Sequence, residues 1–146
     1  MLAKMFGNRA HWAPLLLRIG VGLAFFFSGL QKLTGIAGTV GFFSSLGLPV
    51  PGVTAPMIGI IECFGGLALL LGIGTRLAGL LLICDMVVAI LVARLPGAQG
   101  LLAQGLPGGW GAVRLELILL LGALSLVLTG PGATSIEMAV LKREIP

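Results

Sequence analysis

Four apolar runs, each close to the length a helix needs to cross a lipid core, dominate this 146-residue sequence. They extend approximately from Ala13 to Leu33, Thr54 to Ile73, Leu77 to Leu95 and Ala112 to Thr129. About 20 apolar residues rising 1.5 Å each cover the hydrocarbon thickness. In lipid only helices and closed barrels satisfy their backbone, and these runs lack the polar alternation of barrel strands. The expected fold is all-α: one domain, an integral membrane four-helix bundle, with short interfacial segments in the two longer loops. Hydrophobic residues make up 58% of the chain, charged residues 10%, and mean hydropathy is +1.14. A soluble domain is roughly half apolar and a quarter charged, so a separate soluble module is not expected.

A short basic stretch, Lys4 and Arg9, precedes the first run in the manner of a signal peptide. That run is longer than a typical signal core, and Gln31 and Lys32 follow it where a small-residue cleavage site would stand, so the first helix is read as retained. With four crossings both termini share a side. Lys4, Arg9, Arg76, Lys142 and Arg143 lie there, five basic residues against three (Lys32, Arg94 and Arg114) on the other side. The positive-inside tendency then makes the termini and the turn at Arg76 cytoplasmic. The formal net charge of +4 describes residues at anionic headgroups of the bilayer. No basic groove with stacking aromatics suggests a nucleic-acid partner.

The second and third runs are joined by a few residues around Gly74, which forces an antiparallel hairpin. The other connections, 34–53 and 96–111, are longer, and Gly38 to Leu46 reads as a short interfacial helix stopped by Pro49 and Pro51. The second long loop is read the same way, and Trp12 and Trp110 fit aromatic belts on opposite faces.

Ionisable side chains inside a membrane span are costly unless paired or hydrated, so they are the candidate functional residues: Arg18, Lys32, Glu62, Asp85 and Glu116. On the first helix Arg18, Gly22, Phe25, Gly29 and Lys32 form one stripe at helical period, a cation at each end and small residues between. That stripe is expected to face the bundle interior, where Gly22 and Gly29 leave room for a neighbouring helix or a flat ligand. Measured from the hairpin turn, Glu62 and Asp85 differ in depth by only about 5 Å, so they can share a polar pocket. Glu116 begins the fourth helix near the level of Lys32, giving an expected cluster of Lys32, Glu62, Arg114 and Glu116. Arg114 and Glu116 point about 200° apart, and Glu116 is taken as the inward one. Two plainer readings stand beside these. Buried ion pairs can serve packing alone, and Arg18 and Lys32 are each near enough to a helix end to reach the headgroups.

Cys63 and Cys84 each adjoin an acid but form no CxxC, and are read as buried apolar groups. His11 is the single histidine and lies outside the runs, so one chain assembles no bis-histidine haem and no histidine-rich metal site. No GxGxxG sits in a strand-turn-helix setting, and nucleotide binding lacks support.

Four segments together resemble the DoxX family of small bacterial and archaeal membrane proteins, over about Leu15 to Leu141. They are Leu17-Arg18-Ile19-Gly20 running to Ser28-Gly29-Leu30-Gln31-Lys32-Leu33; Gly47-Leu48-Pro49 followed by Ile61-Glu62-Cys63-Phe64-Gly65-Gly66; Gly72-Ile73-Gly74-Thr75-Arg76-Leu77-Ala78-Gly79; and Glu116-Leu117 running into Thr129-Gly130-Pro131-Gly132 with Ser135-Ile136-Glu137. The resemblance implies a four-helix membrane bundle and, for some members, partnership in membrane oxidoreductase systems, including a thiosulfate-to-quinone couple and a complex linked to oxidative-stress defence. It carries over Arg18, Lys32, Glu62, Arg76 at the structural turn, and Glu116. The chain departs from many relatives at the end of the third helix, where Val92-Ala93-Arg94-Leu95-Pro96 stands in place of a histidine-bearing segment.

Three functional readings follow. The first is a membrane subunit or partner of a quinone-linked oxidoreductase in a bacterial or archaeal plasma membrane. Lys32 or Arg18 would then bond a quinone oxygen and Glu62 or Glu116 would relay protons. No covalently bound cofactor is expected, and electrons would come from a membrane or peripheral protein partner. The second is a non-enzymatic scaffold or assembly factor docking client helices. The third is a small transporter using Glu62 and Asp85, which would require a homo-oligomer because four helices line a narrow path at best.

Overall fold

The computed structural model describes residues 12–96 and 106–141, and among them every regular element is helical. Helix α1 (Ala13–Thr34) starts on a proline in its first turn, where the missing N–H costs nothing. It ends at Gly35, and α2 (Ile36–Ser45) follows at once, tied back by Thr39 Oγ1 donating to the Lys32 carbonyl at 3.2 Å. Helix α3 (Pro51–Leu71) begins after Val50, a β-branched residue held at φ 45° between two prolines. That left-handed conformation carries about 1–3 kcal/mol of strain. Helix α4 (Thr75–Val88) passes directly into a wider π-helical turn, Ala89–Arg94. Helix α5 (Leu106–Thr129) is followed by a segment that ends in a second short π-helical turn, Glu137–Leu141.

Three of these helices, Ala13–Thr34, Pro51–Leu71 and Thr75–Arg94, are long and apolar enough to cross a membrane. The 24 residues of α5 give it the length to do so as well. The bounds differ from the hydropathy pattern most clearly in α3 and α5. Helix α3 starts at Pro51 rather than Thr54 because proline suits a first turn, and it stops at Leu71 because Gly72 turns left-handed. Helix α5 starts at Leu106 rather than Ala112, through glycines that hydropathy treats as loop. The surface placement expected for 97–105, the side chain of Trp110 and the basic termini lie outside the described residues; Trp12 is exposed.

Helix α1 packs most extensively on α3, α5 on α4, and the α3–α4 hairpin with a lighter α1–α5 contact closes the ring. The α1–α3 seam is backbone against backbone. A Cβ on Gly22 would stand 2.9 Å from the Gly66 carbonyl oxygen, and one on Gly66 would strike the Phe26 backbone nitrogen. One helical turn pair further along, a Cβ on Gly29 would lie 2.6 Å from the Gly59 oxygen and strike the Cys63 backbone. Two glycines seven residues apart on each antiparallel helix thus let the axes approach as larger side chains would forbid. Around the seam Val21, Phe25, Leu69, Leu82, Ala123 and Leu126 form the core. Leu128, Phe64 and Phe27, by contrast, are 73%, 64% and 60% exposed. An apolar exterior on this scale is a surface for lipid.

Gly66→Leu and Gly29→Leu are expected to lower the detergent melting temperature markedly, by several kcal/mol of overpacking. Gly20→Ala, with nothing within 4 Å of its added methyl, leaves the temperature unchanged or slightly raised; thermal denaturation of the purified variants checks the contrast.

Candidate functional site: a polar-floored cavity remote from the α3–α4 turn

The buried charges sort to the two ends of the bundle. At the end bearing the α3–α4 turn, Arg18 is 1% exposed and touches neither headgroups nor the other candidate residues. Its Nε donates to the Leu69 carbonyl at 2.8 Å, its second terminal nitrogen to Leu70 at 2.9 Å, and its first to Pro131 at 2.9 Å. Leu69 and Leu70 are in the last turn of α3, where carbonyls run short of helical donors; the Leu69 oxygen also accepts the Gly72 N–H at 3.2 Å. A Cβ on Gly72 would lie 2.5 Å from the guanidinium carbon, so the left-handed glycine that ends α3 also makes room for Arg18. Glu137, likewise 1% exposed, clamps the same turn: its Oε2 accepts from the Gly74 N–H at 3.0 Å and its own N–H donates to the Gly72 carbonyl at 3.3 Å. Arg76 stands beside this turn, half-buried in the first turn of α4. Arg18 is therefore not beside Lys32 or Glu62, and the expectation that it could bond the same ligand does not hold. Its hydrogen bonds also remove it from the headgroups.

At the other end the helices enclose a cavity of about 480 Å³. All five helices contribute to its lining, with Phe42 and Phe43 from α2 and Met57 and Ile58 from α3 among the apolar walls. Lys32 Nζ donates to Ser28 Oγ at 2.8 Å and to Glu62 Oε2 at 2.5 Å; Glu62 is 2% exposed. Asp85, 8% exposed, faces both Glu62 and Lys32 electrostatically, and its Oδ2 has no hydrogen-bond partner among the described residues. Across the cavity Arg94 Nε donates to Glu116 Oε1 at 2.6 Å. The chamber thus holds two cations and three carboxyl groups, with one buried oxygen unclaimed.

The expected cluster of Lys32, Glu62, Arg114 and Glu116 is reached with one exchange. Glu116 is buried and lines the cavity, Arg114 is exposed, and Arg94 takes the place of the second cation. Arg94 escapes a periodicity argument because nine residues of regular helix would set it about 180° from Asp85. The π-helical turn inserts roughly one residue, swinging Arg94 back by about 100° toward the cavity. Glu137 was legible only as a motif member beyond the last span. Cys63 and Cys84 are free thiols, Cys84 being exposed on the lipid side rather than buried, and no group of residues able to hold a metal occurs among those described.

A family model described as DoxX matches residues 13–95, which contain α1 to α4 with Arg18, Lys32, Glu62, Asp85 and Arg94. The chain belongs to the DoxX family. It is 34% identical over 88% of its length, and 87% of the other chain, to a Bacillus subtilis protein named "Putative oxidoreductase CatD". It is 36% identical over 87% of its length, and 80% of the other, to "Uncharacterized membrane protein Rv3486" of Mycobacterium tuberculosis. "Inner membrane protein YqjF" of Escherichia coli is 31% identical over 88% of this chain and 92% of its own. No solved structure matches significantly. As a DoxX protein with an apolar exterior, the chain is a membrane protein.

Removing one partner of a buried ion pair usually costs about 3–5 kcal/mol. Asp85 also interacts electrostatically with Lys32, so Glu62→Gln in this DoxX protein is expected to cost less, about 1–3 kcal/mol. The double change Glu62→Gln with Lys32→Met restores most of that loss, as a thermal double-mutant cycle would read.

Proposed function

We propose that this chain is a membrane partner of a quinone-linked oxidoreductase system, and that the cavity holds the head group of the lipophilic carrier. The observation that carries this reading is the cavity itself. Its walls are mostly apolar, a few polar groups line it, and its volume falls in the range of small-molecule sites. The unclaimed Asp85 Oδ2 fits a head group that offers hydrogen-bonding atoms. Lys32, Glu62 and Asp85 would orient the head on one side, and Arg94 and Glu116 on the other. A bound quinone would supply two-electron chemistry coupled to protons, which the side chains of this chain do not possess. The carboxyl groups would hold and pass protons. Electrons would come from a partner protein or its substrate.

The relatives' printed names support this setting without specifying it: one is an oxidoreductase by name and another an inner membrane protein. The setting proposed is a bacterial or archaeal plasma membrane, with the termini and the Arg76 turn on the cytoplasmic face, a reading that rests on the balance of basic residues. The cavity then lies toward the outer face.

Extraction of the protein with its surrounding lipid, followed by mass spectrometry of the lipid fraction, is expected to recover quinone above its share in bulk membrane. A decyl-tailed benzoquinone or naphthoquinone is expected to bind saturably to the protein in nanodiscs. Absence of quinone from the extract together with no saturable binding would contradict the reading.

A further inference from the structure

The cavity walls are not sealed toward lipid. Met57 on α3 and Val88 on α4 both line the cavity, and both are exposed, at 47% and 46%. Counted along their helices from Leu71 and Thr75, the two residues stand at nearly the same depth, about 20 Å from the turn at 1.5 Å per residue. That depth lies within a hydrocarbon core of about 30 Å. Phe42 of α2, 52% exposed and also part of the lining, borders the same gap. Gly65 of α3 packs on Leu82 of α4 about 10 Å from the turn, and further along Met57 and Val88 each line the cavity while remaining exposed. Apolar residues at an opening mean that what passes there is apolar.

The opposite end of such a ligand meets Asp85. Its Oδ2 is buried and unpartnered, which is costly in an apolar interior unless a donor arrives. The hydrogen bonds of Lys32 go to Ser28 and Glu62 and that of Arg94 Nε to Glu116, and none reaches Asp85 Oδ2. Glu62 interacts with Asp85 but is itself the acceptor of the Lys32 bond, which leaves the buried Oδ2 as an acceptor toward the cavity. An acceptor facing a cavity selects a ligand with an O–H or N–H to give.

We propose that the site takes an amphipathic ligand whose tail lies in the gap between Met57 and Val88 and whose head donates an O–H or N–H hydrogen bond to Asp85, so that of a quinone couple it prefers the quinol. This rests on the reading of the cavity as a quinone site and adds the route of entry and the preferred form.

The test uses the full chain in nanodiscs with a decyl-tailed benzoquinone, kept oxidised or reduced to its quinol, and reads affinity and association rate. The wild type is expected to bind the quinol about tenfold more tightly than the quinone, as one hydrogen bond to a charged or buried carboxyl gives. Asp85→Ala is expected to bind both forms equally; Asp85→Asn, which keeps an oxygen acceptor, retains part of the preference and serves where the alanine variant folds poorly. Met57→Trp and Val88→Trp, on the lipid surface and outside the polar cluster, are expected to slow association of the tailed quinol about tenfold while leaving melting temperature unchanged. Equal or reversed affinity for the two forms in the wild type, or unslowed association in both tryptophan variants, would overturn the proposal while leaving the quinone site intact. Binding of neither form would defeat the quinone site and the proposal together.

Discussion

A guanidinium inside a membrane helix has to find its acceptors within the protein, because the hydrocarbon supplies none. Arg18 finds them in the one place where a helical bundle has carbonyls to spare, the last turn of α3, and adds the Pro131 carbonyl from the segment after α5. Two helices and the segment after α5 are thereby fastened at a single point. The left-handed turn at Gly72, the clamp from Glu137 and the return of the chain beneath α5 all depend on that fastening. Replacing Arg18 by an apolar residue would take a donor from Leu69, which keeps the Gly72 N–H, and from Leu70; a buried group left unsatisfied carries a penalty of about 1–3 kcal/mol.

With one end fixed, the glycine seam between α1 and α3 determines what happens at the other. Backbone contact along Gly22–Gly66 and Gly29–Gly59 holds these two helices together over most of their length, so the volume opens elsewhere, between that pair and α4 with α5. Lys32 and Glu62 project into it from the α1–α3 pair, and Arg94 and Glu116 from the α4–α5 pair. Asp85 lies between them with an oxygen unclaimed. The polarity inside the membrane is thus divided: charge at the turn end is consumed by the backbone, and charge at the far end is left where a ligand can reach it.

Much of this division was legible in the sequence, for physical reasons that also explain what was not. Approximate span lengths, the hairpin at Gly74 and a short helix in the first long loop follow from hydropathy and turn chemistry. The inward stripe of α1 follows from helical period, and the inward choice of Glu116 over Arg114 from angular spacing alone. Arg94 was invisible because its direction depends on a π-helical turn, and one added residue rotates everything beyond it. The role of Arg18 was misplaced because its hydrogen bonds go to carbonyls, which every sequence has, and the acid it interacts with, Glu137, lies after the last apolar run. Glu137 was passed over because it lies after the last apolar run, where a hydropathy argument expects solvent, whereas the chain folds back under the bundle and buries it.

The division between a structural end and a binding end is tested most directly by Arg18→Gln, measured for thermal stability and for quinone affinity per folded molecule in nanodiscs. The side chain keeps two donors at most where the guanidinium uses three nitrogens. A melting temperature well below wild type with an unchanged Kd is the expected result. A variant as stable as wild type that loses quinone binding would contradict it, placing Arg18 at the ligand rather than at the end of α3.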